Sequence, residues 1–401
     1  MWFLLDFNAS RLWTHHWSHL RDFYFLAQRI EASPRVFLPR NVDPEVAFNF
    51  SNCLAVLNSP SFGYSKNESF INWIRDKVIS RLLDCKWPNE NKKLFLLLRK
   101  VCMQFYRRKS FESILDDISR NPNSILIIPN ADPLSLELIL DLYGRQIFPK
   151  LICIRMTGGE NYGPFASSLL LSTFIRLVNN DDCSIRIGWE SPPYEEFLIR
   201  SGLDSKKIFW APPPSIPKEF NQGSNYDGEK GITLGFLGNA RPNKGFEEIP
   251  DLLESLVEKD VHFKAIIQEA KFPWPNYRNT LEKMERFKHS IMLISPDQKE
   301  EELEAIMRRV DICVLPYNPA LYKLQSSAIV YRAADLGIPV IARKGVAFAD
   351  EILTHGIGEV YNSASEFPNA VKNVLGVPRT CAISEYNRKR TNAAERFLGM
   401  N

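Results

Sequence analysis

The chain has 401 residues, 45% of them hydrophobic and 24% charged, a composition that excludes a disordered or fibrous protein and suits two domains of roughly 200 residues each. Its 50 basic and 47 acidic residues leave a net charge of +3, so no nucleic-acid partner is expected without a local basic patch. The seven cysteines are scattered without a C-x-x-C pair and read as reduced thiols. No apolar run approaches the ~18 residues of a membrane span, and MWFLLDFNASR lacks the pattern of a signal peptide, so a cytoplasmic location is expected.

From the start of the chain, short apolar runs lead through turns into helical spacing: WFLLDF at 2–7, RVFLP at 35–39, SILIIP at 124–129, KLICIR at 150–155 and SIRIGW at 184–189. Runs apolar at nearly every position suit parallel strands buried on both faces, covered by helices such as HWSHLRDFYFLAQRIEA. After the first run, HHWSH at 15–19 gathers three of the six histidines, with His15 and His19 one helical turn apart. Packing histidines, cleft-facing histidines and a metal site all fit that spacing, but no H-E-x-x-H and no third ligand accompany it, so no metal is expected. In NKKLFLLLRKVCMQFYRRK at 91–109, Lys93, Lys100 and Arg107 form one basic stripe beside an apolar face. That segment suits either a core helix with a solvated edge or a peripheral contact with anionic lipid on the inner face of a membrane. TGGENYGPF at 157–165 follows a strand, where α/β sheets place ligands, and Glu160 is its only carboxylate.

The polar, aperiodic segment PKEFNQGSNYDGEKG at 217–231 marks a linker, after which the strand–helix rhythm restarts at 232–238, 262–268, 290–295, 311–316 and 339–343. GFLGNARPNKGFEEIPDLLESL at 235–256 reads as a buried strand, a loop and an amphipathic helix. In that loop Gly238 and Gly245 allow close backbone approach, and Arg241 and Lys244 set two cations beside the helix entrance, as a polyanion site needs. An ordinary turn with solvated cations has the same residues. In DICVLPYNPALYKLQSSAIVYRAADLGIPVIARKG at 311–345, Tyr322 and Lys323 lie on an irregular loop, and Ser326 and Ser327 stand where a helix begins. Their hydroxyls and the free N–H groups there suit a second face of the anion, or simple N-capping. No G-x-S-x-G and no G-x-x-x-x-G-K-[ST] is present, so hydrolase and P-loop readings lack their starting residues.

The pairing of GFLGNARPNKGF with SSAIVYRAADLGIPVIARKG resembles the donor-binding domain of GT-B glycosyltransferases, particularly the retaining family 4 group. The resemblance implies two Rossmann-like α/β domains facing each other across a cleft. Residues 1–213 would bind the acceptor and 231–378 the nucleotide-sugar donor, joined by a linker over 214–230, with a helix in 379–401 packing back on the first domain. ESPPYEEFLIRSGLDSKKIFWAPPPSIP resembles the last helix and strand of the acceptor domain and supports that boundary. By resemblance, Lys244 and Arg241 hold the donor diphosphate; Gly238, Asn239, Tyr322, Ser326 and Ser327 complete the expected nucleotide site, and the catalytic candidates are His15 or His16, facing the cleft, and Glu160, which suits either positioning an acceptor hydroxyl or a solvated loop.

Retention of configuration, metal independence, no cofactor beyond the donor, and a glycan or lipid-linked acceptor in polysaccharide biosynthesis are implied in the same way. Two departures stand out. Asn239 occupies the usual Arg position, with Arg241 two residues on, and the E-x7-E glutamates that bind sugar and ribose in relatives fall on Leu324 and Arg332. A branch with an S-S-G-type helix start matches Ser326–Ser327–Ala328 more closely. A non-catalytic GT-B-fold scaffold and a sugar-nucleotide epimerase are the alternatives.

Overall fold

The computed structural model describes residues 1–6, 15–30, 32, 34–39, 42, 50–57, 111–131, 133–156, 169–180, 184–216, 218, 220 and 231–400. Their strands form two all-parallel sheets. The first holds β1 (Trp2–Leu5), β2 (Pro34–Pro39), β3 (Cys53–Leu57), β4 (Ile125–Ala131), β5 (Leu151–Met156), β6 (Ile185–Trp189) and β7 (Ile208–Trp210), in the order β3-β2-β1-β4-β5-β6-β7. The second holds β8 (Ile232–Phe236), β9 (Phe263–Gln268), β10 (Ile291–Ile294), β11 (Ile312–Leu315), β12 (Val340–Arg343) and β13 (Gly358–Tyr361), in the order β10-β9-β8-β11-β12-β13. The molecule therefore has the two-domain, Rossmann-like architecture of the GT-B fold.

Both sheets are buried on both faces, which is why their strands read as unbroken apolar runs rather than as alternating ones. In the first sheet Phe3, Leu5, Ile128 and Ile154 face a core shared with helix Pro133–Gly144 and residues 111–120. Trp2, Leu4, Ile127 and Cys153 face the other side, under helix His15–Arg29. In the second sheet Cys313, Leu315, Val340 and Ala342 pack against helices Glu300–Met307 and Ala328–Asp335, while Ile312, Val314 and Ile341 pack against Ile249–Glu258 and Phe367–Gly376. Each fully buried Leu, Ile or Val contributes about 1.5–3 kcal/mol, so these four layers supply most of the stabilisation.

Each sheet reverses its strand order once, between β1 and β4 and between β8 and β11. At such a switch point the loops leaving the carboxyl ends diverge and open a crevice. The two carboxyl edges meet: Ser191, just past β6, donates through Oγ to the carbonyl of Leu324, in the loop after β11, at 2.8 Å.

Helix Thr380–Phe397 touches both halves. Ile383 and Tyr386 join the second core, whereas Ala394, Phe397 and Leu398 join the first beside Trp2 and Leu4. Gly188 makes room for it, since a Cβ there would lie 3.1 Å from the Phe397 ring. The buried guanidinium of Arg390 donates to the Pro213 carbonyl at 2.8 and 3.1 Å and to Asp335 at 2.9 Å. The expected linker lies largely outside the described residues, and segment 91–109 lies wholly outside them. Among the described residues no helix is long and apolar enough to cross a membrane.

Candidate functional site

The loop after β8 enters the switch point of the second sheet. Gly238 leaves the strand at φ 103°, and a Cβ there would sit 3.1 Å from Lys244 Nζ, 3.3 Å from Ile329 Cγ1 and 3.4 Å from the Tyr317 hydroxyl. Only glycine suits both the backbone and the space. Residues Pro242–Lys244 form one tight turn that Gly245 ends at φ 70°, directly against the Pro316 carbonyl, where a Cβ would lie 1.7 Å from the oxygen. That contact, with the Asn318 N–H donating to the Asn243 carbonyl at 3.0 Å, locks the β8 loop to the β11 loop.

Lys244 turns back into the loop. Its ammonium donates to the Gly238 carbonyl and stands 5.4 Å from the centre of the Tyr317 ring. The stem is partly exposed, but the ammonium is enclosed by protein, and that burial, with Arg241 as a smaller cause, pushes its pKa down to about 7. Among the described residues no carboxylate pairs with it. Arg241 is exposed at the turn's entrance, and its guanidinium makes no hydrogen bond or ion pair among the described residues. Among the described residues, then, no carboxylate neutralises either cation.

Beyond the Tyr317 ring, Ser327 caps helix Ala328–Asp335: its Oγ accepts from the Ile329 N–H at 3.3 Å and lies 3.4 Å from the Tyr317 hydroxyl. Ser326 is buried and shares a hydrogen bond with the Tyr331 hydroxyl at 2.8 Å. Tyr322 is buried too, its ring 4.6 Å from that of Tyr317. The fold therefore brings Gly238, Lys244 and Ser327 together around Tyr317, with Tyr322 behind it. Sequence reasoning missed Tyr317, although its position directly after the Leu-Pro that ends β11 offered a signal.

Asn239 is engaged elsewhere, its Oδ1 accepting from the Lys271 N–H at 3.1 Å. Gln268, at the end of β9, was also missed: its Oε1 accepts from the N–H groups of Gly238 (2.7 Å) and Asn239 (2.8 Å), and its Nε2 donates to the Pro296 carbonyl (3.0 Å). These amides, the natural phosphate donors of the loop, are occupied by a side chain that a ligand would have to displace. Leu324 packs on the first domain's core, and Arg332 lies 3.6 Å from Glu300, which Arg21 of the first domain reaches at 2.8 Å.

The facing switch point of the first sheet is floored by a buried polar network. Asn130 donates to Asp6 at 2.7 Å, so its carbonyl oxygen faces His19 Nδ1, also at 2.7 Å. Arg155, fully buried, donates to the carbonyls of Pro129 (2.8 Å) and Ala211 (2.7 Å) and pairs with Glu190. In the sequence Arg155 reads as one polar residue ending a strand, and its burial was not legible there. His15 and His16 open the helix that carries His19, but their side chains lie outside the described residues, as does Glu160. Among the described residues no group of three His, Cys, Asp or Glu could hold a metal ion.

No protein-family model and no curated protein matches the chain. Solved structures do. Anabaena Alr3699/HepE in complex with UDP and glucose superposes with a TM-score of 0.58 at 13% identity, over 100% of this chain and 96% of that one. The lipopolysaccharide outer core galactosyltransferase WaaB gives 0.60 at 11% identity, over 99% and 96%. Sucrose-phosphate synthase from Thermosynechococcus elongatus gives 0.59 at 14% identity, over 100% and 96%. At these identities the likeness is one of fold.

Proposed function

We propose that the protein is a glycosyltransferase that moves a sugar from a nucleotide-sugar donor, bound by the second domain over 231–378, to a hydroxyl of a glycan or lipid-linked acceptor bound by the first, over 1–213. The observation that carries this reading is the loop Gly238–Gly245 at the switch point, where Arg241 and Lys244 stand beside the Ser327-capped helix start with no carboxylate paired to them among the described residues. The fold it sits on is shared with a protein whose structure holds UDP and glucose.

A departing nucleoside diphosphate gains negative charge on its leaving oxygen, and fixed cations in a site poor in water stabilise it without reorganising. Lys244 would lie under the diphosphate, Arg241 would swing onto it from the entrance, and the first N–H groups of helix Ala328–Asp335 would face it. With that charge met by side chains and helix N–H groups, the reaction needs no metal. Retention of configuration, a cytoplasmic location and a membrane contact through 91–109 belong to the same reading.

A thermal-shift panel of UDP, GDP, ADP and CMP tests donor binding, since a ligand at 100 times its Kd adds about 2.7 kcal/mol. One strong responder is expected; none would reject the reading. The second reading, a scaffold without turnover, is favoured by Leu324 and Arg332 at the two glutamate positions. Release of nucleotide from the matching sugar donor, dependent on acceptor, separates the transferase from that scaffold and from an epimerase, which would form product with no acceptor.

A further inference from the structure

The loops leaving β8, β11 and β12 at the switch point form one contiguous surface. Asn318 bonds to Asn243, the Ala347 N–H donates to the Tyr322 carbonyl at 2.8 Å, and a Cβ on Gly345 would lie 3.3 Å from Pro319. Across 237–246, 316–327 and 344–349 this surface carries Arg241, Lys244, Lys323 and Lys344, and not one Asp or Glu. Lys323 and Lys344 are exposed, and neither forms an ion pair among the described residues.

Most described carboxylates next to these loops are engaged. Glu248 pairs with Arg343 and Glu247 accepts from the Trp274 indole N–H at 2.7 Å, whereas Asp350, just past the third stretch, is exposed in the first turn of helix Ala349–Thr354. Asp297 is held by Lys271 at 2.5 Å, and Glu300 by Arg21. A nucleoside diphosphate sugar with a neutral sugar carries about two negative charges, which Arg241 and Lys244 suffice to meet. Two cations remain, both on the β11 and β12 loops. Leu324, next to Lys323, has its side chain packed away on the first domain. These three stretches are thus basic and carry no acid of their own.

Resting on the glycosyltransferase reading, we infer that the transferred sugar is itself anionic, a uronate or another carboxylate-bearing sugar, with Lys323 and Lys344 as the residues that select it. The chemistry of transfer is unchanged: the anomeric C–O bond to the diphosphate breaks, the nucleoside diphosphate leaves with the electron pair, and the acceptor hydroxyl forms the new bond and loses its proton. The sugar carboxylate takes no part and serves for recognition only.

The test is calorimetric titration of wild type and of Lys323→Gln/Lys344→Gln with matched probes: UDP, UDP-glucose and UDP-glucuronate, then GDP, GDP-mannose and GDP-mannuronate. Two exposed, partly screened contacts should make the uronate of the accepted base three- to tenfold tighter than its neutral partner at low salt. The double variant should remove that advantage while binding the bare nucleoside diphosphate as wild type does. Equal affinity for uronate and neutral sugar in wild type, or an advantage that survives the double substitution, overturns the inference and leaves the donor site standing. Failure of UDP, GDP, ADP and CMP alike to bind would overturn the donor site and this inference with it.

Discussion

Glu351 shows how burial, as the largest of several causes, sets chemistry at one side chain. One carboxyl oxygen accepts from the Tyr386 hydroxyl at 2.8 Å, and the other, Oε2, is enclosed without a hydrogen-bond partner among the described residues. Burial pushes its pKa up to about 7, against the opposing pull of the Tyr386 bond and of Arg390, with Glu190 adding to the rise. The folded pKa exceeds the ordinary 4.5, so between about 4.5 and 7 the folded state keeps a proton that the unfolded state has lost. Stability therefore falls as pH rises through that window, by up to roughly 3 kcal/mol. Glu351→Gln keeps an acceptor for Tyr386 and abolishes the titration. Its melting temperature should match wild type near pH 4.5 and exceed it by several degrees at pH 7.5; parallel profiles would clear Glu351 of that role. Nothing in FADEIL distinguishes this glutamate from a solvated one, because its burial arises from helix Thr380–Phe397, nearly thirty residues on.

Among the elements, the loop after β8 depends on Gly245 more than on either of its cations for shape. Alanine there would combine a left-handed φ of 70° with a Cβ 1.7 Å from the Pro316 oxygen, so the β8 and β11 loops would have to part. Gly245→Ala should lower stability by at least about 2 kcal/mol in urea unfolding. A midpoint equal to wild type would show the loop to be more yielding than its backbone contact implies. Ser327→Ala should cost about 0.5–2 kcal/mol through loss of the cap, even with no ligand present, and a nearly unchanged midpoint would deny the cap its weight. The buried strands were legible because both faces are apolar; SILIIP and DICVLP need no context. β3 and β13 were not, and both are edge strands, with Glu359 tolerated in the middle of β13. The positions of Gly238, Lys244 and Ser327 could be read from local spacing. The network of Asp6, His19, Asn130, Arg155 and Glu190 could not, since it joins four strand ends and a helix far apart in sequence.

For the whole molecule, the two halves are tied through Arg390, whose guanidinium spans Pro213 of the first domain's exit and Asp335 of the second domain. Arg390→Ala would strip Asp335 of its cationic partner in a buried site, a loss of about 3–5 kcal/mol. Scanning calorimetry should then resolve two transitions where wild type shows one; a single transition at an unchanged temperature would mean the helix does not couple the domains. The central claim is that the loop Gly238–Gly245 binds a diphosphate through Lys244. Because burial holds the Lys244 ammonium near pKa 7 in the free protein, and an anion favours its charged form, binding should take up a proton above that pH. The most direct measurement is calorimetric titration of the responding nucleoside diphosphate at pH 7, 8 and 9, on wild type and on Lys244→Ala. Wild-type affinity should fall by up to about tenfold per pH unit, while the variant should bind roughly ten- to a hundredfold more weakly at pH 7 and lose most of that pH dependence. Undiminished binding by Lys244→Ala, with the same pH profile as wild type, would contradict the account.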